Sequence, residues 1–115
     1  MPKQALDLLQ GTLDLLILGA LTNGPLHGYG VMRYLRETSG EDLRIEEGAL
    51  YPALHRLEAR REVRAEWGRS ENQRRAKFYS LTDDGRHRLA TDARSWRRYV
   101  SAVGRVLQAA EGARP

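Results

Sequence analysis

The last third of the chain carries an apolar repeat that restricts the fold more than any other feature. Leu89, Ala93, Trp96, Val100, Val103, Leu107 and Ala110 are spaced 4-3-4-3-4-3. Such spacing draws one continuous seam along an α-helix. At 1.5 Å per residue a helix from Asp83 to Ala110 is about 42 Å long. In a chain of 115 residues the first helix can cover the seam near Leu89, but little is left to cover it past Val100. A partner helix is therefore expected, and a twin chain is the simplest source. Leu89, Ala93, Trp96, Val100, Val103 and Leu107 are the expected homodimer interface. Trp96, at mid-seam, is also the candidate to line a pocket for a small aromatic effector, although packing is the commoner role of a tryptophan.

Ahead of this seam the periodicity changes several times. Leu13, Leu16, Ile17, Ala20 and Leu21 form a helical stripe, stopped by Asn23-Gly24-Pro25. A second helix is expected from about Gly28 to Thr38, burying Val31 and Leu35. A third is expected from about Glu46 to Arg60, with Leu50, Leu54 and Leu57 inside. Pro52 lies slightly beyond the positions where proline is free of cost, which predicts a helix start that is tight or slightly distorted. Val63, Ala65 and Trp67 then alternate with polar residues as in a strand. After a polar turn, Phe78 to Leu81 reads as a second strand, and the two make a hairpin. Thr82, followed by Asp83 and Asp84, is a good start for the last helix. The order helix, helix, helix, hairpin, helix predicts a mostly α fold with a small two-stranded antiparallel wing. This is a winged helix-turn-helix unit over 1–82, followed by a long C-terminal dimerisation helix and short tail over 83–115.

Composition removes several classes of function. There are no cysteines, so disulfides and thiolate metal sites are excluded. His27, His55 and His87 share no metal-ligand spacing, and no phosphate-binding loop, nucleophile motif or purposeful carboxylate pair occurs. Neither a cofactor nor a catalytic role is expected. Leu13 to Leu21 is too short to span a bilayer and Asp14 interrupts it, so a cytoplasmic protein without membrane contact is expected.

The net charge is +4, and its distribution is informative. Residues 41–62 carry four basic and six acidic side chains, whereas residues 63–80 carry five and two. On the third helix, Gly48, Ala49, Tyr51, Pro52, His55 and Arg56 are expected to face outward. Small residues at its start permit close approach to base edges, and Tyr51 and Arg56 offer donors to phosphate or guanine. On the hairpin, Arg69, Asn72, Gln73, Arg74, Arg75 and Lys77 place several donors on one ribbon, suited to the phosphate backbone or a narrow minor groove. Double-stranded DNA is the partner these residues suggest. The acidic balance of residues 41–62 leaves an alternative, a winged-helix protein-interaction module without DNA binding.

Three segments give the pattern a family likeness. They are Leu26-His27-Gly28-Tyr29-Gly30, the run from Gly48 to Glu58 (GALYPALHRLE), and the run from Arg75 to Arg86 (RAKFYSLTDDGR). In this order and spacing the chain resembles the PadR-like transcriptional regulators, from about Leu9 to Leu89. The resemblance implies a homodimeric winged-helix regulator, usually a repressor, with the last helix as dimer handle and Tyr51 on the DNA backbone. It also implies that an effector can bind between the chains, with Trp96 as the matching aromatic residue. Two positions depart from the family pattern. Ala49 stands where threonine is common, and Arg61-Glu62 replaces the usual basic-glycine turn.

Overall fold

The computed structural model describes the backbone of residues 3–113 and the side chains of residues 11–113. The outermost residues of the expected 1–82 and 83–115 units lie outside the described residues. The elements are α1 (Lys3–Ala20), β1 (Leu26–His27), α2 (Gly28–Thr38), α3 (Glu47–Ala59), β2 (Val63–Arg69), β3 (Arg75–Leu81) and α4 (Asp83–Gly112). Among the described residues no helix is long and apolar enough to cross a membrane.

The core is one cluster, built where α1, α2 and α3 meet the base of the sheet. Ile17, Leu18 and Leu21 of α1 and its following turn pack with Val31 and Leu35 of α2. Leu50, Leu54 and Leu57 of α3 are fully buried against them, and Val63, Tyr79 and Leu81 close the cluster from the sheet. The predicted stripes on α2 and α3 are the buried ones. On α1, Leu13 and Leu16 only border the core, while Leu18, outside the predicted stripe, is buried. The difference arises because α1 is covered from several sides, packing against α2, α3 and α4.

Local chemistry explains the boundaries. The His27 side chain caps α2, its Nδ1 accepting from the Gly30 N–H at 2.9 Å. At the start of α3 the Glu46 carbonyl accepts from both Ala49 and Leu50 N–H, at 3.0 and 2.9 Å, so of the two starts compatible with Pro52 the first turn is the tight one. Thr82 caps α4 by accepting from Gly85 N–H at 3.0 Å, with Asp83 and Asp84 in the first turn.

The sheet has three strands in the order β1-β3-β2, all antiparallel. The hairpin was expected from the sequence. Its third strand was not, because a two-residue strand leaves no alternation to detect. In β1, Leu26 pairs with Tyr79 and His27 with Phe78, so the segment between the first two helices is sewn to the wing. In the hairpin, Trp67 lies opposite Lys77 and Ala65 opposite Tyr79. One face therefore runs Val63, Ala65, Trp67 and Arg69 beside Leu81, Tyr79, Lys77 and Arg75. Its base belongs to the core, and its outer half continues past the body.

The chain measures 61 × 28 × 28 Å, because α4 is 30 residues long and projects beyond the rest. Its start is seated closely. A Cβ added to Gly85 would collide with the Glu62 carbonyl oxygen, so only glycine lets α4 come this near to the turn before β2.

Candidate nucleic-acid interface

On α3, the side chains of Leu50, Ala53, Leu54 and Leu57 point inward. Gly48, Ala49, Tyr51, Pro52 and His55 are exposed along the other side. The end of the Tyr51 ring lies over the start of α2. A Cβ on Gly28 would come within 2.5 Å of the Tyr51 hydroxyl, so glycine at that position makes the room in which the ring rests.

Arg56 departs from the outward placement expected of it. It is half-buried, and its guanidinium donates to Asp14 Oδ1 at 3.0 Å, while Arg60 reaches Asp14 Oδ2 at 3.3 Å. The cause is Asp14, which α1 carries into the core at 5% exposure. A buried carboxylate needs counter-charges, and one turn of α3 supplies two. The expectation failed because helical period alone does not show that Asp14 needs a partner.

On the wing, Arg69, Arg74 and Arg75 have no carboxylate partner among the described residues. Arg69 donates to the Gln73 carbonyl at 3.0 Å, closing the loop of the hairpin, and Gln73 takes a left-handed φ of 62°. Asn72, Gln73, Arg74 and Arg75 are exposed. The Arg75 guanidinium lies 4.4 Å from the centre of the Trp67 ring. Lys77 reaches Glu58 at 3.4 Å and lies over the Tyr79 ring. Burial raises the Tyr79 phenol above its ordinary value, against the pull of Lys77 and with smaller contributions from Glu58 and Tyr51.

These elements enclose an open cleft of about 400 Å³. Tyr29 and Arg33 of α2 form one wall, Tyr51 of α3 the floor, and Trp67, Asn72, Arg75 and Lys77 the wing side. Arg33 meets Glu71 at the wing loop, 3.4 Å away. The structure thus brings Tyr51, Asn72, Arg75 and Lys77 together, whereas Arg56 is drawn away into the body. Tyr29, Arg33 and Trp67 join the cleft without having been singled out. For Trp67 the signal was present: it continues the inward-facing alternation of β2 beyond the point where the body can cover it.

A family model for the PadR-like transcriptional regulators matches residues 17–91. The chain belongs to this family. Its members are regulators of transcription and not enzymes. A PadR family transcriptional regulator from Eggerthella lenta is 31% identical, with a TM-score of 0.72 over 90% of this chain and 88% of that one. Bacillus subtilis PadR, solved with operator DNA, is 29% identical with a TM-score of 0.62, over 70% of this chain and 44% of that one. A 37.1 kDa protein of transposon TN4556 from Streptomyces fradiae is 40% identical over 84% of this chain. The chain spans about a quarter of that relative's length, 26%.

Against the PadR-like pattern, the turn at Arg61-Glu62 has a physical consequence. Arg61 takes a left-handed φ of 61°, and Glu62, in place of the usual glycine, is buried. Its Oε2 accepts from Arg88 of α4 at 2.8 Å, while Oε1 has no hydrogen-bond partner among the described residues. Arg88 also donates to Asp92. The Asp92 hydrogen bond, and secondarily Glu62, raise the Arg88 guanidinium above its ordinary range against the effect of burial. The departure therefore ties α4 to the body through an ion pair between a buried carboxylate and a half-buried guanidinium.

Along the seam of α4, Leu89 and Ala93 are half-buried, and Trp96, Val100, Val103 and Leu107 are exposed. Tyr99 and Val106 widen the exposed strip, although strict heptad spacing had left them out. Between α1 and α4 runs a mainly apolar groove of about 400 Å³, lined by Gly11, Thr12, Leu15, Trp96 and Tyr99 among others. The Trp96 and Tyr99 rings are 5.9 Å apart.

Proposed function

We propose that this PadR-like chain is a DNA-binding repressor that grips a pseudo-palindromic operator as a homodimer. The observation that carries the reading is the single cleft in which Tyr51 of α3 meets Asn72, Arg75 and Lys77 of the wing. A helix face of small residues beside a cationic ribbon matches a duplex, with the helix at the major groove and the arginines on phosphates or in the minor groove. Support also comes from Bacillus subtilis PadR, whose structure holds operator DNA. Gly48, Ala49, Pro52 and His55 would face the bases, and Arg69, Gln73 and Arg74 the backbone. Arg56 contributes by holding α3 through Asp14.

The exposed strip of α4 supports dimerisation. Residues 83–115 act as the handle and residues 1–82 as the reading head. Two heads related by a two-fold axis fit half-sites about one helical turn apart, roughly 10 bp, or a multiple of it. Occlusion of the duplex is the action these elements offer, hence repression. A flat aromatic effector held beside Trp96, in the groove between α1 and α4, would change how the heads are set and release the operator.

The test is binding to duplexes selected from a random pool. Affinity is expected to fall by orders of magnitude between about 50 and 200 mM salt, and Arg75→Ala is expected to weaken it without lowering thermal stability. Binding indifferent to both would overturn the reading and favour a protein-interaction module. Repression is checked by a reporter placed behind the selected site.

A further inference from the structure

Trp67 is the one large apolar side chain of the wing left open to solvent, at 60% exposure. It lies on the face of β2 whose inner members, Val63 and Ala65, border the core. One pleat further out, the indole leaves the core and faces the cleft beside Tyr51 and Tyr29. What the indole touches is Arg75, whose guanidinium sits 4.4 Å from the ring centre. The register explains the meeting: Trp67 pairs with Lys77, and Arg75 is the next residue on the same face of β3, within diagonal reach.

An arginine on an exposed hairpin samples many rotamers, and ordering it on contact with a ligand opposes binding. A ring face holds the guanidinium plane by cation–π attraction and limits those rotamers beforehand. Arg75 also lacks a carboxylate partner among the described residues, unlike Arg33 and Lys77. Its charge stays available.

We infer that Trp67 is a positioning residue for DNA binding, holding Arg75 ready to meet a backbone phosphate. The inference rests on the DNA-binding reading above and adds to it a residue acting through another. It makes the wing's affinity depend on an uncharged aromatic side chain.

The experiment measures affinity of the full chain for a selected duplex at several salt concentrations, with Trp67→Leu, Trp67→Phe, Trp67→Tyr, Arg75→Ala and the Trp67→Leu/Arg75→Ala pair. Trp67→Leu is expected to weaken binding about three- to fivefold. It should also lower the slope of log affinity against log salt by up to about 0.9, the share of one phosphate contact, as Arg75→Ala does. Trp67→Tyr should restore both, and Phe should fall between Tyr and Leu. In the Arg75→Ala background, Trp67→Leu should cost nothing more. A slope unchanged by Trp67→Leu, or single losses that multiply in the double variant, would overturn the inference. A wild-type chain that selects no duplex defeats the parent reading and this one with it, a result separate from any difference among variants. If Trp67→Leu fails to fold, the Tyr and Phe variants still decide: equal salt slopes in Trp, Tyr and Phe forms with a lowered Phe affinity would refute positioning of a charge.

Discussion

The body and the far half of α4 use the same residue types in the same helical spacing, with opposite outcomes. Leu50, Leu54 and Leu57 on α3 are fully buried, whereas Leu107 on α4 is 58% exposed. Apolar period predicts that a face exists, and topology decides what lies against it. The body closes its own core because α1 is surrounded. Among the described residues the seam from Trp96 onward is left exposed, and under the dimer reading its cover comes from a second copy.

The contrast can be broken at its strongest point first. Leu54→Ala, which opens a cavity in the closed core, should cost about 2–5 kcal/mol in denaturant unfolding. Gly85→Ala should cost about 2–4 kcal/mol, because the backbone oxygen of Glu62 cannot yield as a side-chain end would. Gly28→Ala meets only the Tyr51 ring tip. It should be tolerated in thermal unfolding and weaken duplex binding instead. Val100→Asp should act in the other region alone: a charge in the seam should convert the proposed dimer to monomer in sedimentation, while the circular dichroism of the winged body persists.

Two smaller effects sharpen the comparison inside the body. Arg56→Ala leaves Asp14 with Arg60 alone and should cost about 1–3 kcal/mol, whereas Arg75→Ala on the open wing should leave stability unchanged. Differential scanning calorimetry separates them, and equal stabilities would show that the Asp14 cluster contributes little. The smallest effect is alkaline. Burial raises the folded-state value of Tyr79 above its ordinary value of about 10. A raised folded value means the contribution is complete below pH 10 and is lost as pH climbs through the folded value. Tyr79→Phe should remove that alkaline decline, as followed by unfolding at pH 9 to 12.

Much of this architecture was legible in the sequence because it follows from local periods and caps. The limits of α2, the Thr82 cap and the inward leucines of α3 need only neighbours in the chain. The features missed are those set by distant partners. Strand β1 exists only because β3 runs beside it. Arg56 turns inward because a carboxylate 42 positions earlier is buried, and Tyr99 and Val106 join the exposed strip of α4 although they lie outside the strict heptad positions. In the cleft, the charged side of the wing was visible as composition, while Tyr29 and Arg33 enter it only through the folding of α2 against the hairpin.

The close seating at Gly85 gives α4 the geometry of a lever. With its pivot wedged against Glu62 and pinned through Arg88, a helix of 30 residues, about 45 Å long, amplifies small tilts. A change of roughly 5° at the pivot moves its far end by about 4 Å over that length. In the proposed dimer, the spacing between two heads would then be governed less by the remote tip than by a few atoms at the fulcrum, where a single added methyl group would re-gauge the whole assembly.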